Sequence, residues 1–193
     1  MRHAAPAADM RLTYDDVLLF PDDGKRHELI DGVHYVTPSP RVRHQDLVGR
    51  LYVEIVLCLR EHPTAGRVFG SPIDVVLSNH DVVAPDLLFI AGDQTGIMTE
   101  KNIQGAPALV VEVMSKSTRK RDAQIKRRLF ERVGVREYWL VDPELDTVQV
   151  LRLSSEGRLV RVEELTAEDG GTLTTPLLPE CRIDVRTLFR PTL

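Results

Sequence analysis

Cysteine is almost absent from this chain: 193 residues contain two, Cys58 and Cys181, far apart and without metal-ligand spacing. That leaves no thiol-built zinc site. Cys58 falls in an apolar helical pattern and is expected as an unpaired core residue, which fits a reducing cytoplasm. The histidines His27, His34, His44, His62 and His80 show no zinc spacing either. No apolar run reaches the roughly 18 residues of a membrane-spanning helix. Walker loops and dinucleotide fingerprints are missing. Ser115 and Ser117 lack the Gly-x-Ser-x-Gly elbow of a serine hydrolase. Internal repeats and low-complexity blocks are absent as well. Basic charge is in deficit, 25 Lys and Arg against 29 Asp and Glu for a formal net charge of -4. This argues against a generic polyanion binder.

What is present describes an ordinary soluble domain, 42% hydrophobic and 28% charged. A chain of this length buries roughly 70% of its unfolded surface and folds without staples. Residues 1–11 read as a loose tail, Met1 to Asp9 being Ala-rich but too short and polar for a secretory signal. Residues 12–193 read as one domain.

Thr13-Tyr-Asp-Asp16 has capping-box form and starts a short helix that Pro21 stops. Arg26 to Ile30 and Val33 to Val36 are strand-like around Asp31-Gly32, a strong hairpin signal. Leu47, Leu51, Ile55, Cys58 and Leu59 recur at helical steps and predict a helix from Val42 to Glu61. Arg67–Leu77 reads as a strand carrying Pro72, at an edge or a bulge, and Val82–Ile90 as the next. Ala91 to Pro107 reads as a loop with a short helical turn. Ala108–Val113 and Arg136–Val141 are buried-type strands. Between them lies a helix capped by Ser117 or Thr118 and ended by Gly134, which implies a parallel, right-handed crossover. Thr147–Leu153 and Arg158–Glu163 form a meander. The expected fold is mixed α/β, a central mixed sheet flanked by helices, with an N-terminal helix and hairpin. Tyr138-Trp139 are expected in the core.

The chemistry concentrates at two strand carboxylates. Asp86 follows Pro85 at a strand start, and Glu112 sits inside Ala108–Val113, where a carboxylate is costly to desolvate unless compensated. From Lys116 to Arg132 eight basic residues (Lys116, Arg119, Lys120, Arg121, Lys126, Arg127, Arg128, Arg132) face two acidic ones, Asp122 and Glu131. Such a helix can hold phosphate, or be only a solvated face. Magnesium needs few carboxylates beside a phosphate. Asp86 and Glu112 could hold it with the Val113 carbonyl, while Lys126 orients water or stabilises the transition state. The rival uses are a strand cap at Asp86, an arginine pair at Glu112, and an Asp122–Lys126 surface pair.

Pro85-Asp86, Glu112-x-Met114 and Lys126 resemble the PD-(D/E)XK motif of the restriction-endonuclease-like superfamily. The departure is Met114, where the motif lysine usually stands. Glu28-Leu-Ile-Asp-Gly32, Val83-Ala-Pro-Asp86-Leu-Leu-Phe-Ile90, Val110-Val-Glu112-Val-Met-Ser115, Asp122-x-x-x-Lys126 and Gly134–Pro143 together resemble the Uma-two family, in which the lysine moves to the following helix. The resemblance runs from about Leu12 to Phe189. It implies a restriction-endonuclease-like core and a Mg2+- or Mn2+-dependent endonuclease acting on DNA; a homodimer is expected by analogy, since a lone domain of this size makes one cut. Asp86 and Glu112 would be metal ligands and Lys126 the catalytic lysine. Glu28, His44 and Gln124 match accessory positions. Their competing roles are a cross-strand pair with Lys25 or Arg26 for Glu28, helix capping for His44 and simple solvation for Gln124. Lys116, Arg119, Lys120, Arg121 and Arg127 would grip the nucleic-acid backbone. A catalytically silent nucleic-acid-binding or structural module on the same fold is the alternative, and RNA is the alternative substrate.

Overall fold

Asp31 and Gly32 both take positive φ, 53° and 73°, the combination that lets a two-residue turn follow the twist of its strands. They join β1 (Arg26–Ile30) to β2 (Val33–Thr37), which pair from Arg26↔Thr37 to Ile30↔Val33. The computed structural model describes residues 11–21 and 23–190, so most of the expected N-terminal tail lies outside the described residues. Ahead of the hairpin, α1 (Tyr14–Val17) opens at Thr13, whose N–H and hydroxyl both donate to Asp16 at 2.8 Å. After it, α2 (Val42–Glu61) buries Leu47, Leu51 and Ile55, the apolar stripe its periodicity predicts.

The remaining elements are β3 (Gly66–Gly70), β4 (Val75–Ser78), β5 (Asp81–Val83), β6 (Leu87–Ala91), β7 (Ile103–Gln104), β8 (Leu109–Val113), α3 (Arg127–Val133), β9 (Glu137–Asp142), β10 (Thr147–Leu153), β11 (Leu159–Thr166), β12 (Thr172–Thr175), β13 (Leu178–Asp184) and α4 (Val185–Phe189). A 3-10 turn at Gly92–Ile97 is the helical turn expected in that loop. A π-helical stretch, Arg121–Lys126, leads directly into α3.

Two expected strands are each broken in two. Arg67–Leu77 splits at Ser71-Pro72 into β3 and β4, and Val82–Ile90 splits at Ala84-Pro85-Asp86 into β5 and β6. Proline has no N–H for a ladder, and at both prolines the chain leaves one sheet for another. The six-stranded sheet runs β11-β10-β9-β8-β6-β3 and the five-stranded one β2-β1-β5-β4-β7. The architecture is therefore mixed α/β, with two sheets where one central sheet was expected, plus the β12-β13 hairpin. β8 and β9 are parallel across the crossover, as the pattern of strand, helix and strand predicts.

Side chains alternate across the six-stranded sheet. Leu87, Phe89, Leu109, Val111, Val113, Trp139 and Val141 pack on the α2 side. Leu88, Ile90, Val110, Tyr138 and Leu140 pack against Leu129 and Phe130 of α3 on the other. Tyr138 and Trp139 are core residues, as expected.

Cys58 and Cys181 require a correction. They form a disulfide between α2 and β13, with Cα atoms 5.3 Å apart across 123 residues of sequence. Helix-on-strand packing makes this pairing, and sequence separation cannot reveal it. The unpaired core thiol, and the argument for a reducing cytoplasm built on it, fall away.

Gly32 tests the hairpin. A Cβ there would lie 2.6 Å from Cβ of Arg11, at a φ of +73°. Gly32→Ala is expected to lower stability by about 1–2 kcal/mol or more in urea unfolding, with the fold retained.

Candidate active site

Strand register assembles the first pair of carboxylates. β6 and β8 run antiparallel with Leu87 opposite Val111 and Leu88 opposite Val110. One further step sets Asp86 across from Glu112, and alternation turns Glu112 to the α3 side with Val110. The Val113 N–H donates to Asp86 Oδ2 at 2.8 Å. Glu28 comes from the other sheet. It reaches the switch segment before β6, where Ala84 N–H donates to Glu28 Oε1 at 3.0 Å.

The helical segment supplies the cation. Asp122 and Lys126 lie four residues apart, on the same buried side as Leu129 and Phe130. Lys126 Nζ lies 2.7 Å from Glu28 Oε1 and 2.7 Å from Glu112 Oε1, with Asp122 Oδ1 at 4.0 Å. The Asp122–Lys126 relation is thus buried, not a surface pair. π-helical turns recur at functional sites, and here one carries both residues. Tyr138 supports the segment from below, its hydroxyl donating to the Asp122 carbonyl at 3.1 Å.

Asp86 has its own partners. Arg26 approaches Oδ1 at 2.6 Å, and His44 Nε2 lies 3.1 Å from Oδ2. Glu28 does not pair with Lys25 or Arg26 as a cross-strand contact would require. Lys25 goes to Asp23 at 2.7 Å, and Glu28 takes Lys126 and, at 3.6 Å, Arg121. Arg121 also donates to Thr37 Oγ1 at 2.5 Å and stands over the Tyr35 ring. His44 is a partner of Asp86, not a helix cap. Gln124 is exposed, outside the cluster.

Burial and neighbours set the ionisation. Asp86 is buried, yet His44, Arg26 and the Val113 N–H hold its pKa down at about 2. For Glu28, burial opposes ionisation, but Lys126, Arg121 and the Ala84 N–H outweigh it and hold its pKa below the usual value. Glu112 goes the other way. Burial pushes it well up, Lys126 only partly offsets this, and Asp86, Asp122 and Glu28 push further in the same direction. One ammonium shared between two carboxylates fully satisfies one of them. Lys126 itself stays protonated, because Glu112, Glu28 and Asp122 overcome its burial.

The basic helix is far from a bare positive face. Arg119 is paired with Asp142 and, at 3.4 Å, Glu144. Arg132 is paired with Asp31 and Asp81, and Arg127 donates to the Leu159 carbonyl at 2.6 Å. Arg121 and Lys126 point into the cluster. Lys116, Lys120 and Arg128 remain exposed, Lys116 lying 3.6 Å from Glu144.

Sequence reasoning overlooked Arg26 and Thr37. The signal for Arg26 was its spacing: positions 26 and 28 of one strand share a face. Two cavities adjoin the site on either side of Pro38-Ser39-Pro40, about 330 and 310 Å³ in volume, and both are walled by Arg26, Thr37 and His44.

A family model described as "Putative restriction endonuclease" matches residues 14–186. The chain belongs to this family, Uma2. The solved structure of a protein titled a "putative nuclease", from Anabaena variabilis ATCC 29413, superposes with a TM-score of 0.76 at 20% identity. The match covers 92% of this chain and 97% of that one. At that identity the likeness establishes the fold. No curated protein matches the sequence significantly. Of the residues that the sequence singles out, Glu112 and Lys126 meet here together with Glu28, Asp86 lies opposite Glu112 beside the Val113 N–H, and Met114 lies buried in the core.

Lys126→Ala leaves Glu28 and Glu112 buried without their cation and is expected to cost about 3–5 kcal/mol in urea unfolding. A second test concerns pH. A raised Glu112 pKa stabilises the fold below the unfolded value of about 4.3, and that stability is lost as pH rises through the folded value. In EDTA the melting temperature should therefore fall as pH rises from the unfolded glutamate value through the raised Glu112 value, and Glu112→Gln should flatten the fall. An unchanged slope in the variant would show that Glu112 ionises freely.

Proposed function

We propose that the chain is a divalent-metal-dependent endonuclease that hydrolyses DNA phosphodiester bonds. The observation that carries this is one buried cluster from three separate elements: Lys126 Nζ lies 2.7 Å from Glu112 Oε1, and Asp86, one ladder step on from the Leu87–Val111 pair, accepts from the Val113 N–H at 2.8 Å. The donor chemistry suits a hard cation, although the described residues bring no three His, Cys, Asp or Glu side chains together as ligands. The donors are carboxylate oxygens, the negative charge of Asp86, Asp122 and Glu28 helps hold the Glu112 pKa up in spite of Lys126, and Asp122 Oδ1 is buried without a hydrogen-bond partner among the described residues. Asp86 and Glu112 would hold Mg2+ or Mn2+, with the Val113 carbonyl beside them. When bound, such an ion polarises a phosphoryl oxygen and acidifies a water.

The chain's own residues do the rest. Lys126 fixes Glu112 and keeps positive charge near the phosphoryl group as negative charge builds on its oxygens. Arg26 and His44, between Asp86 and the cavities, bind and orient the incoming phosphate. Lys116 and Lys120, both exposed, give sequence-independent grip on neighbouring phosphates. Water adds to phosphorus as the bond to the leaving oxygen breaks, and the proton lost by the water is balanced by the one gained at the leaving hydroxyl. A homodimer would supply two such sites.

One observation favours a second reading, a catalytically silent nucleic-acid-binding module. Lys126 and Arg26 already neutralise part of the carboxylate charge without a metal. Supercoiled plasmid with Mg2+ separates the two. Wild type is expected to nick, and Asp86→Ala and Glu112→Ala to lose at least about 100-fold, the scale of removing one group that stabilises a transition state. Titration calorimetry with Mn2+ should show binding by wild type and none by Asp86→Ala. Equal nicking by wild type and variants would leave the silent module standing.

A further inference from the structure

We infer that the site takes single-stranded nucleic acid in preference to an intact duplex, an inference that rests on the nuclease reading and names its substrate class. The working groups are nearly sealed. The Asp86 and Glu112 side chains are 4% and 3% exposed, and those of Glu28 and Lys126 are 1%. A phosphate that is to use these carboxylates must therefore reach them through the wall made by Arg26 and His44.

The openings beside that wall are small. The cavities of about 330 and 310 Å³ flank Pro38-Ser39-Pro40, and Asp86 itself lines the second. Each is at the lower end of small-ligand pockets. A duplex, whose major groove alone is about 12 Å wide, cannot follow its phosphate into either one. A single strand can lay one nucleotide in each, with the connecting phosphate passing Arg26 and His44.

The linings match that path. The first cavity sets Arg41, Arg43 and Lys116 beside Pro38, Met114 and Pro143, and the second sets Lys25 beside Pro72 and Val48. Cations beside apolar faces suit a strand whose bases are unstacked and can lie against the wall. In a duplex those base faces are hidden, and the apolar lining would stay unused. His44 adds an independent sign of a missing ligand. It lines both cavities, and its Nδ1 is buried with no hydrogen-bond partner among the described residues.

Fluorescence anisotropy in EDTA tests this with the full chain, comparing a labelled, non-self-complementary 20-mer alone and annealed to its complement. The single strand is expected to bind at least 10-fold more tightly. Arg41→Glu with Lys116→Glu, both exposed positions, should weaken single-strand binding. It should also flatten the plot of log affinity against log salt by about 1.4, two phosphate contacts at roughly 0.7 each. Ser39→Trp, between the cavities, should cut single-strand affinity and leave the weak duplex binding unchanged. Equal or tighter duplex binding, no binding of either probe, or an unchanged salt slope overturns the inference. Parallel incubation with Mg2+ separates the two levels. Single-strand preference without cleavage removes the nuclease reading alone, and cleavage with equal binding removes this inference alone.

Discussion

The ammonium of Lys126, 2.7 Å from both Glu28 and Glu112, is the interaction on which the site depends. Glu28 belongs to the five-stranded sheet, Glu112 to the six-stranded sheet and Lys126 to the crossover between β8 and β9. One charged contact therefore ties both sheets to the helical layer at the point where buried charge is most costly. It satisfies Glu28 and leaves Glu112 raised, so the cluster is stable as a protein yet still short of positive charge.

The two prolines matter as much as the charges. At Pro72 and Pro85 the chain crosses between sheets, and the second crossing places Ala84, Pro85 and Asp86 in the seam. The Ala84 N–H is then free of a ladder and goes to Glu28. Asp86 leads into β6 with its carboxylate beside the backbone of β8. A segment that reads as one apolar strand thus becomes a hinge between layers, and both of its neighbouring carboxylates gain backbone donors. A continuous strand would have spent those N–H groups on its own sheet.

Much of the fold was legible. The extent of α2, the Asp31-Gly32 turn, the capping box at Thr13 and the parallel β8–β9 pair follow from local patterns: helical periodicity, positive-φ turn residues, and an apolar strand, helix, apolar strand sequence. Asp86, Glu112 and Lys126 were legible because a carboxylate inside an apolar run is conspicuous, and because their spacing resembles a family pattern. Arg26 and Thr37 were not, since a polar residue at the end of a strand looks the same whether it faces solvent or a buried carboxylate. The eight basic residues of the crossover misled for a related reason. Composition counts charges, whereas Asp142, Asp81, Glu28 and Glu112, brought in from other strands, decide which of them remain unpaired.

By itself, then, the sequence determined the elements that rest on neighbours within a few residues, along with the residue types capable of metal-assisted phosphate chemistry. The tertiary structure alone decided that there are two sheets and not one, that Cys58 meets Cys181, that Arg26 and His44 hold Asp86, and that Asp86 lines a cavity beside Pro38-Ser39-Pro40. Those features depend on contacts between residues tens of positions apart. Such contacts are selected by packing and charge compensation in three dimensions, and no local periodicity encodes them.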